Sequence, residues 1–176
     1  MIPRTMAEAQ IPHRVDAVKF VEQIQKLSGE IDSSELTRLN QSVERCLAPI
    51  NCVLSFERDE ERHRLLVGEC STRVAMICQR CLDVVEVEVS SRFELGLVFN
   101  DDQARQLPRR LEPVELGENG QLDLWAAIED EVLLSLPAFP AHPESECQLQ
   151  QPEPEDSNSN EQQPNPFDVL AQLKQK

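Results

Sequence analysis

The sequence predicts an α+β fold: an antiparallel β-sheet meander packed by two or three helices, with a disordered acidic C-terminal linker. Three observations predict it. From Val85 to Phe99 the odd positions are mostly apolar (Val85, Val87, Val89, Phe93, Leu95, Leu97, Phe99) and the even ones mostly polar (Glu86, Glu88, Ser90, Arg92, Glu94). That is the period of a long half-buried strand. Two more strand-like runs precede it with short connections, and consecutive strands so joined pair most simply as an antiparallel meander. Helix-period segments flank the strands on both sides, and from Glu144 to Gln163 the composition shifts to Pro, Glu, Gln, Ser and Asn. A segment with so little to bury does not fold by itself.

The elements follow in order. Residues 1–11 form a flexible N-terminus, and one α+β domain spans 12–143. A helix is expected from Val15 to Leu27, because Ala17, Phe20, Val21, Ile24 and Leu27 fall at helical spacing, with Ser28-Gly29 as its stop. A shorter helix begins at Ser34, an N-cap type, and runs to about Val43. In the first strand Ile50, Cys52, Leu54 and Phe56 alternate with Asn51, Val53 and Ser55; Arg58-Asp59-Glu60-Glu61-Arg62 is a polar hairpin connection. The segment His63 to Cys78 is the second strand, and the Val85–Phe99 strand is the third. Asp101 to Arg110 reads as a polar loop. The stretch Leu111–Leu116 is extended, and Gly117-Glu118-Asn119-Gly120 has turn chemistry. Asp123 caps a third helix carrying Leu124, Trp125, Ile128, Val132 and Leu133, closed by Pro137. The acidic linker covers 144–164. A short helical motif covers 165–176, where Phe167, Leu170 and Leu173 lie three apart and suit docking on a partner.

Bulk properties narrow the function. Of 176 residues, 40% are apolar and only 4% aromatic, so the core is aliphatic and few rings are available for stacking on bases. The formal charge is −15. This argues against sequence-independent nucleic-acid binding, which rests on Lys and Arg neutralising phosphates, and favours a basic partner or local RNA contact through a few arginines. No stretch approaches the roughly 20 apolar residues a membrane helix needs, and the N-terminus lacks the apolar core of a secretory signal. A cytoplasmic setting is expected, with the six cysteines reduced.

Cys78-Gln79-Arg80-Cys81 sits at the turn between the second and third strands. A thiol pair held in a turn can bind metal, exchange disulfides or pack as small apolar residues. Zinc takes four soft or borderline ligands, and His142 with Cys147 completes a set with Cys78 and Cys81 if that later segment returns to the hairpin tip. Redox thiols are favoured at helix N-termini, whereas this pair lies between strands. Cys46, Cys52 and Cys70 read as core or edge residues. Arg80, at the tip, is placed to meet a phosphate or carboxylate, and Arg73 and Arg92 on the flanking strands are candidates to extend a small basic patch. No Gly-rich phosphate loop, GxSxG or HExxH occurs, and the acidic runs Asp101-Asp102 and Glu129-Asp130-Glu131 read as solvated faces.

Several blocks resemble the YceD family of bacterial large ribosomal RNA subunit accumulation proteins and their plastid relatives. They are Cys78-Gln79-Arg80-Cys81, Glu112-Pro113-Val114-Glu115, Gly120-Gln121-Leu122-Asp123-Leu124, Ile128-Glu129-Asp130-Glu131, Leu134-Ser135-Leu136-Pro137, the His142–Cys147 segment, and Asn165-Pro166-Phe167 with Val169-Leu170-Ala171. The resemblance implies a non-enzymatic cytoplasmic factor needed for synthesis, processing or stability of 23S ribosomal RNA. Its partner would be a large-subunit ribosomal RNA precursor or a basic ribosomal protein. It also implies that Cys78, Arg80 and Cys81 belong to a shared feature. Many relatives carry a second cysteine-rich segment near the C-terminus, where this chain keeps only His142 and Cys147. Two other expectations stand beside it: a zinc-binding structural adaptor that recruits proteins without contacting RNA, and a thiol redox switch.

Overall fold

The computed structural model describes residues 9–147. The expected linker from 148 onward, and the C-terminal motif with Phe167, Leu170 and Leu173, lie outside those residues. In chain order the elements are β1 (Ala9–Gln10), β2 (Arg14–Asp16), α1 (Ala17–Glu22), β3 (Lys26–Ile31), α2 (Thr37–Ser42), β4 (Arg45–Cys46), β5 (Ile50–Arg58) and β6 (Arg64–Ile77). Then come β7 (Val84–Val98), α3 (Asp101–Gln106), β8 (Glu112–Glu115), β9 (Gln121–Asp123) and α4 (Leu124–Leu134).

The expected meander is the centre of the molecule. Strands β5, β6 and β7 pair antiparallel in sequence order, with Leu54, Gly68 and Phe93 in one row and Phe56, Leu66 and Leu95 two rows further along. Inward residues alternate with outward ones, so one face is apolar and the other wet. The full sheet has the order β1-β3-β5-β6-β7-β8, with β4 beside β6. Its two outer pairings, β1 with β3 and β7 with β8, are parallel. A second sheet, β2 with β9, is small and antiparallel. Helices α1 and α4 pack on the inner face, and α2 packs on α4. The core there includes Ile31, Phe56, Leu66, Leu124 and Ile128, all fully buried.

The local chemistry of each element is visible. Asp123 caps α4 by accepting from the Ala126 N–H at 3.1 Å, as its position suggests. The β5–β6 turn is clasped by Asp59, whose carboxylate accepts from the His63 N–H at 2.8 Å and lies 2.9 Å from His63 Nδ1. Gly68 is a packing necessity: a Cβ there would stand 2.2 Å from the Phe93 ring and 2.9 Å from Leu54. Cys52 and Cys70, expected in the core, face each other across β5 and β6 with their sulfurs 3.1 Å apart, and the hydrogen bond to Cys52 together with burial pushes the Cys70 thiol up.

Four expectations are corrected. The first helix does not run from Val15 to Leu27: α1 ends at Glu22, Ile24 turns out at a φ of 49°, and Leu27 enters β3 opposite Leu54. Pairing along β5 outweighs the helical spacing of Ile24 and Leu27, because strand partners are chosen non-locally. Ser28 and Gly29 therefore lie inside a strand. The second helix starts later than Ser34: Asp32 caps a single 3₁₀ turn, and α2 follows from Thr37. The polar stretch after Asn100 is not all loop, since Asn100 caps α3 through the Gln103 N–H at 3.0 Å. At the N-terminal end, Ala9 and Gln10 join the sheet and Ile11 is buried, so residues 9–11 belong to the folded body and not to a flexible N-terminus.

Candidate metal centre

Strands β6 and β7 extend beyond β5 and carry the CxxC at their joint. The Cys78 N–H donates to the Asp83 carbonyl at 2.9 Å, continuing the ladder, and the Leu82 N–H donates to the Cys78 carbonyl at 3.0 Å. Leu82 adopts a φ of 64°. This left-handed conformation is one that L side chains other than Asn and Asp seldom take. It turns the chain tightly enough to bring both sulfurs to one side.

The chain after α4 closes the site. Ser135 ends the helix and Pro137 prevents its continuation. The segment then runs to the hairpin tip, where the Pro140 carbonyl accepts from the Gln79 N–H at 2.8 Å. A turn over Glu144–Glu146, with Glu146 and Cys147 N–H groups donating to the Pro143 carbonyl at 3.0 and 3.1 Å, places Cys147 beside Cys78. The folded body thus continues through Cys147 rather than stopping at residue 143.

Four donors converge. The sulfurs of Cys78, Cys81 and Cys147 and a ring nitrogen of His142 all lie within 4.8 Å of one another. Cys78 Sγ is 4.0 Å from Cys147 Sγ, and Cys81 Sγ is 3.3 Å from His142 Nδ1. A tetrahedral zinc ion with its usual bond lengths requires about 3.8 Å between sulfurs and about 3.5 Å between sulfur and nitrogen, so the set has the dimensions of a Cys₃His site. The 4.0 Å separation is also about twice a disulfide bond. His142 Nε2 lies 3.1 Å from the Val84 carbonyl. Donation of Nε2–H there leaves the Nδ1 lone pair aimed at the cluster, the usual way a second hydrogen bond orients a ligating imidazole.

The electrostatics suit ligation. The peptide N–H of Cys81 holds the Cys78 thiol down to about 5 against the opposing effect of burial, helped by the N–H groups of Arg80 and His142. Cys81 accepts from the Asp83 N–H, which lowers it, yet burial and the neighbouring Cys78 and Cys147 sulfurs leave it raised. Sulfurs crowded in this way repel as thiolates unless a cation sits between them, while metal affinity requires the deprotonated form. Cys78 is fully buried.

The three arginines are not brought together. Arg80 is exposed, but its guanidinium donates to the His142 carbonyl and so braces the returning segment. Arg73 lies opposite Glu88 in the ladder, and Arg92 pairs with Glu69 at 3.1 Å. Arg73 and Arg92 are four ladder rows apart, about 13 Å along the strands. Each strand arginine therefore has an acid beside it. Sequence reasoning missed Leu82 and the Val84 carbonyl, because a left-handed turn and a backbone acceptor leave no residue-type signature. It also placed Glu129 on a solvated face, whereas Glu129 is 6% exposed.

Among the described residues no helix is long and apolar enough to cross a membrane. The family model for "Large ribosomal RNA subunit accumulation protein YceD" matches residues 66–174. A Haemophilus influenzae protein of that name is 34% identical over 174 residues, covering 97% of this chain and 100% of its own length. No solved structure matches. The matched region contains the hairpin tip, all four clustered donors and α4, and the chain belongs to the YceD family of large ribosomal RNA subunit accumulation proteins.

Proposed function

We propose that this chain is a non-enzymatic, cytoplasmic ribosome-biogenesis factor that sustains the level of 23S ribosomal RNA, and that zinc held by Cys78, Cys81, His142 and Cys147 fixes its hairpin tip. The end-to-end likeness to the Haemophilus influenzae protein, 34% identical over 97% of the chain, carries the functional part. The convergence of four donors within 4.8 Å supports the zinc. Its role is structural: four protein ligands fill the tetrahedron and leave no open position for a substrate.

The chain acts by contact with the precursor particle. A net charge of −15 favours a basic ribosomal protein as the contacted component. Direct RNA contact through Arg80, Arg73 and Arg92 has less support, because Arg92 is ion-paired and Arg73 faces Glu88. A redox role has less support than ligation, because a sensor thiol must be accessible and Cys78 is buried.

Deleting the gene and measuring the ratio of 23S to 16S ribosomal RNA tests the function. A lowered ratio restored by the wild-type chain is expected; an unchanged ratio refutes the reading. Co-sedimentation of Arg80→Ala with precursor particles addresses the RNA contact, which a normal profile would eliminate.

A further inference from the structure

The cleft between β8 and α4 has an apolar floor and an acidic rim. Its volume is about 450 Å³, and Leu95, Val114, Leu122, Ala127 and Leu133 contribute to its lining. Leu134, 74% exposed, stands at its mouth. The rim carries Glu112, Glu115, Asp123, Asp130 and Glu131, and no Lys, Arg or His lines it. Asp130 is paired with Arg38, and Asp123 with His13 and Arg14, but Glu112, Glu115 and Glu131 make no ion pair among the described residues. Beside the cleft runs β8, the last strand of its sheet, whose outer edge pairs with no strand among the described residues.

We propose that this cleft docks an extended basic segment of a ribosomal protein, with apolar side chains on the Val114–Leu133 floor and Lys or Arg side chains against Glu112, Glu115 and Glu131. The inference rests on the reading that the chain contacts a basic protein of the precursor particle, and it assigns the surface. Three features converge on such a partner. An open strand edge beside a groove is how sheets accept an extended peptide through main-chain hydrogen bonds. An apolar floor takes alternate side chains, as strand geometry presents them. The side chains lining the rim supply acceptors and negative charge and no donor cation of their own, which disfavours phosphate and RNA and attracts ammonium and guanidinium groups. The crowding has a visible consequence: burial, Glu112 and Asp130 push the Glu131 carboxyl up, a repulsion that a bound cation relieves.

The test uses the full chain, isotope-labelled, titrated with an acetylated and amidated ten-residue peptide that alternates lysine and valine. Controls are the same peptide with glutamate for lysine, and a single-stranded RNA oligomer. Saturable amide shifts confined to residues 112–115 and 126–134 are expected, weakened at least tenfold in the triple variant Glu112→Gln, Glu115→Gln, Glu131→Gln. Shifts spread over the whole acidic surface, equal affinity in the variant, or RNA binding at this cleft would overturn the proposal. The variant's thermal melt, expected to match or exceed wild type, shows that it folds. In deletion cells the two readings separate. A normal 23S level without the gene defeats the proposed function. A lowered level fully restored by the triple variant defeats only the cleft.

Discussion

The Arg38 guanidinium lies 2.9 Å from the Glu129 carboxylate across 91 positions of sequence. The other oxygen of Glu129 accepts from the Leu39 N–H, also at 2.9 Å. Thus α4 supplies the N-terminal cap that α2 lacks in its own sequence, since Leu36 at the cap position offers no side-chain acceptor. Arg38 further donates to the Ala126 carbonyl and pairs with Asp130, which fixes α2 across the start of α4.

Removal of this cap has a defined cost. Glu129→Ala leaves a buried N–H unsatisfied and Arg38 short of one partner, a loss of about 2 kcal/mol. Asp130→Ala removes a half-exposed charge and costs under about 1 kcal/mol. Urea midpoints of the two variants measure the difference. Equal shifts would mean that Glu129 is no more structural than a surface acid.

Zinc analysis of purified full-length chain is expected to give one ion per molecule, lost in Cys81→Ser and in His142→Ala but retained in Cys52→Ser. Chelation is expected to lower the melting temperature and to broaden amide signals of residues 78–84 and 140–147, leaving those of β5 in place. Full occupancy in Cys81→Ser would exclude this residue as a ligand.

Gly68 and Phe93 form a coupled pair. Because a Cβ at position 68 would meet the Phe93 ring at 2.2 Å, Gly68→Ala is expected to destabilise by about 1–3 kcal/mol, the range for overpacking. Phe93→Leu makes room, so the double variant is expected to lose less than the sum of the singles. A double-mutant cycle reads the coupling, and strict additivity would show that the ring is not the obstacle.

Glu131 sets a pH dependence of known sign. Its carboxyl is raised by burial, by Glu112 and by Asp130, so the folded state binds this proton more tightly than the unfolded chain. Stability attributable to this group therefore falls as pH rises from the ordinary glutamate range through the raised folded value, and is level above it. Glu131→Gln is expected to be more stable than wild type at pH 7, with the advantage shrinking toward pH 4. Denaturant midpoints at both pH values check it; a variant less stable at pH 7 contradicts the assignment.

The legible parts of this molecule are those written in adjacent residues. Alternation in Ile50–Phe56 and Val85–Phe99 specified the central strands and their inner faces, because side chains on a strand point alternately to its two sides. Asp123 marked the start of α4 through a contact three residues long. The donors Cys78, Cys81, His142 and Cys147 were identifiable by type, since few other side chains bind zinc.

What the amino-acid order determined alone was therefore the meander, the start of α4 and the ligand candidates. Tertiary structure decided the rest. It turned Leu27 from a helical position into a strand, joined β1 and β8 in parallel at the sheet edges, buried Glu129 over α2, gave Arg92 an acid partner, and returned His142 and Cys147 to the hairpin tip. Each of these outcomes depends on which distant surface is available to pair, and that competition is settled only when the whole chain collapses onto one core.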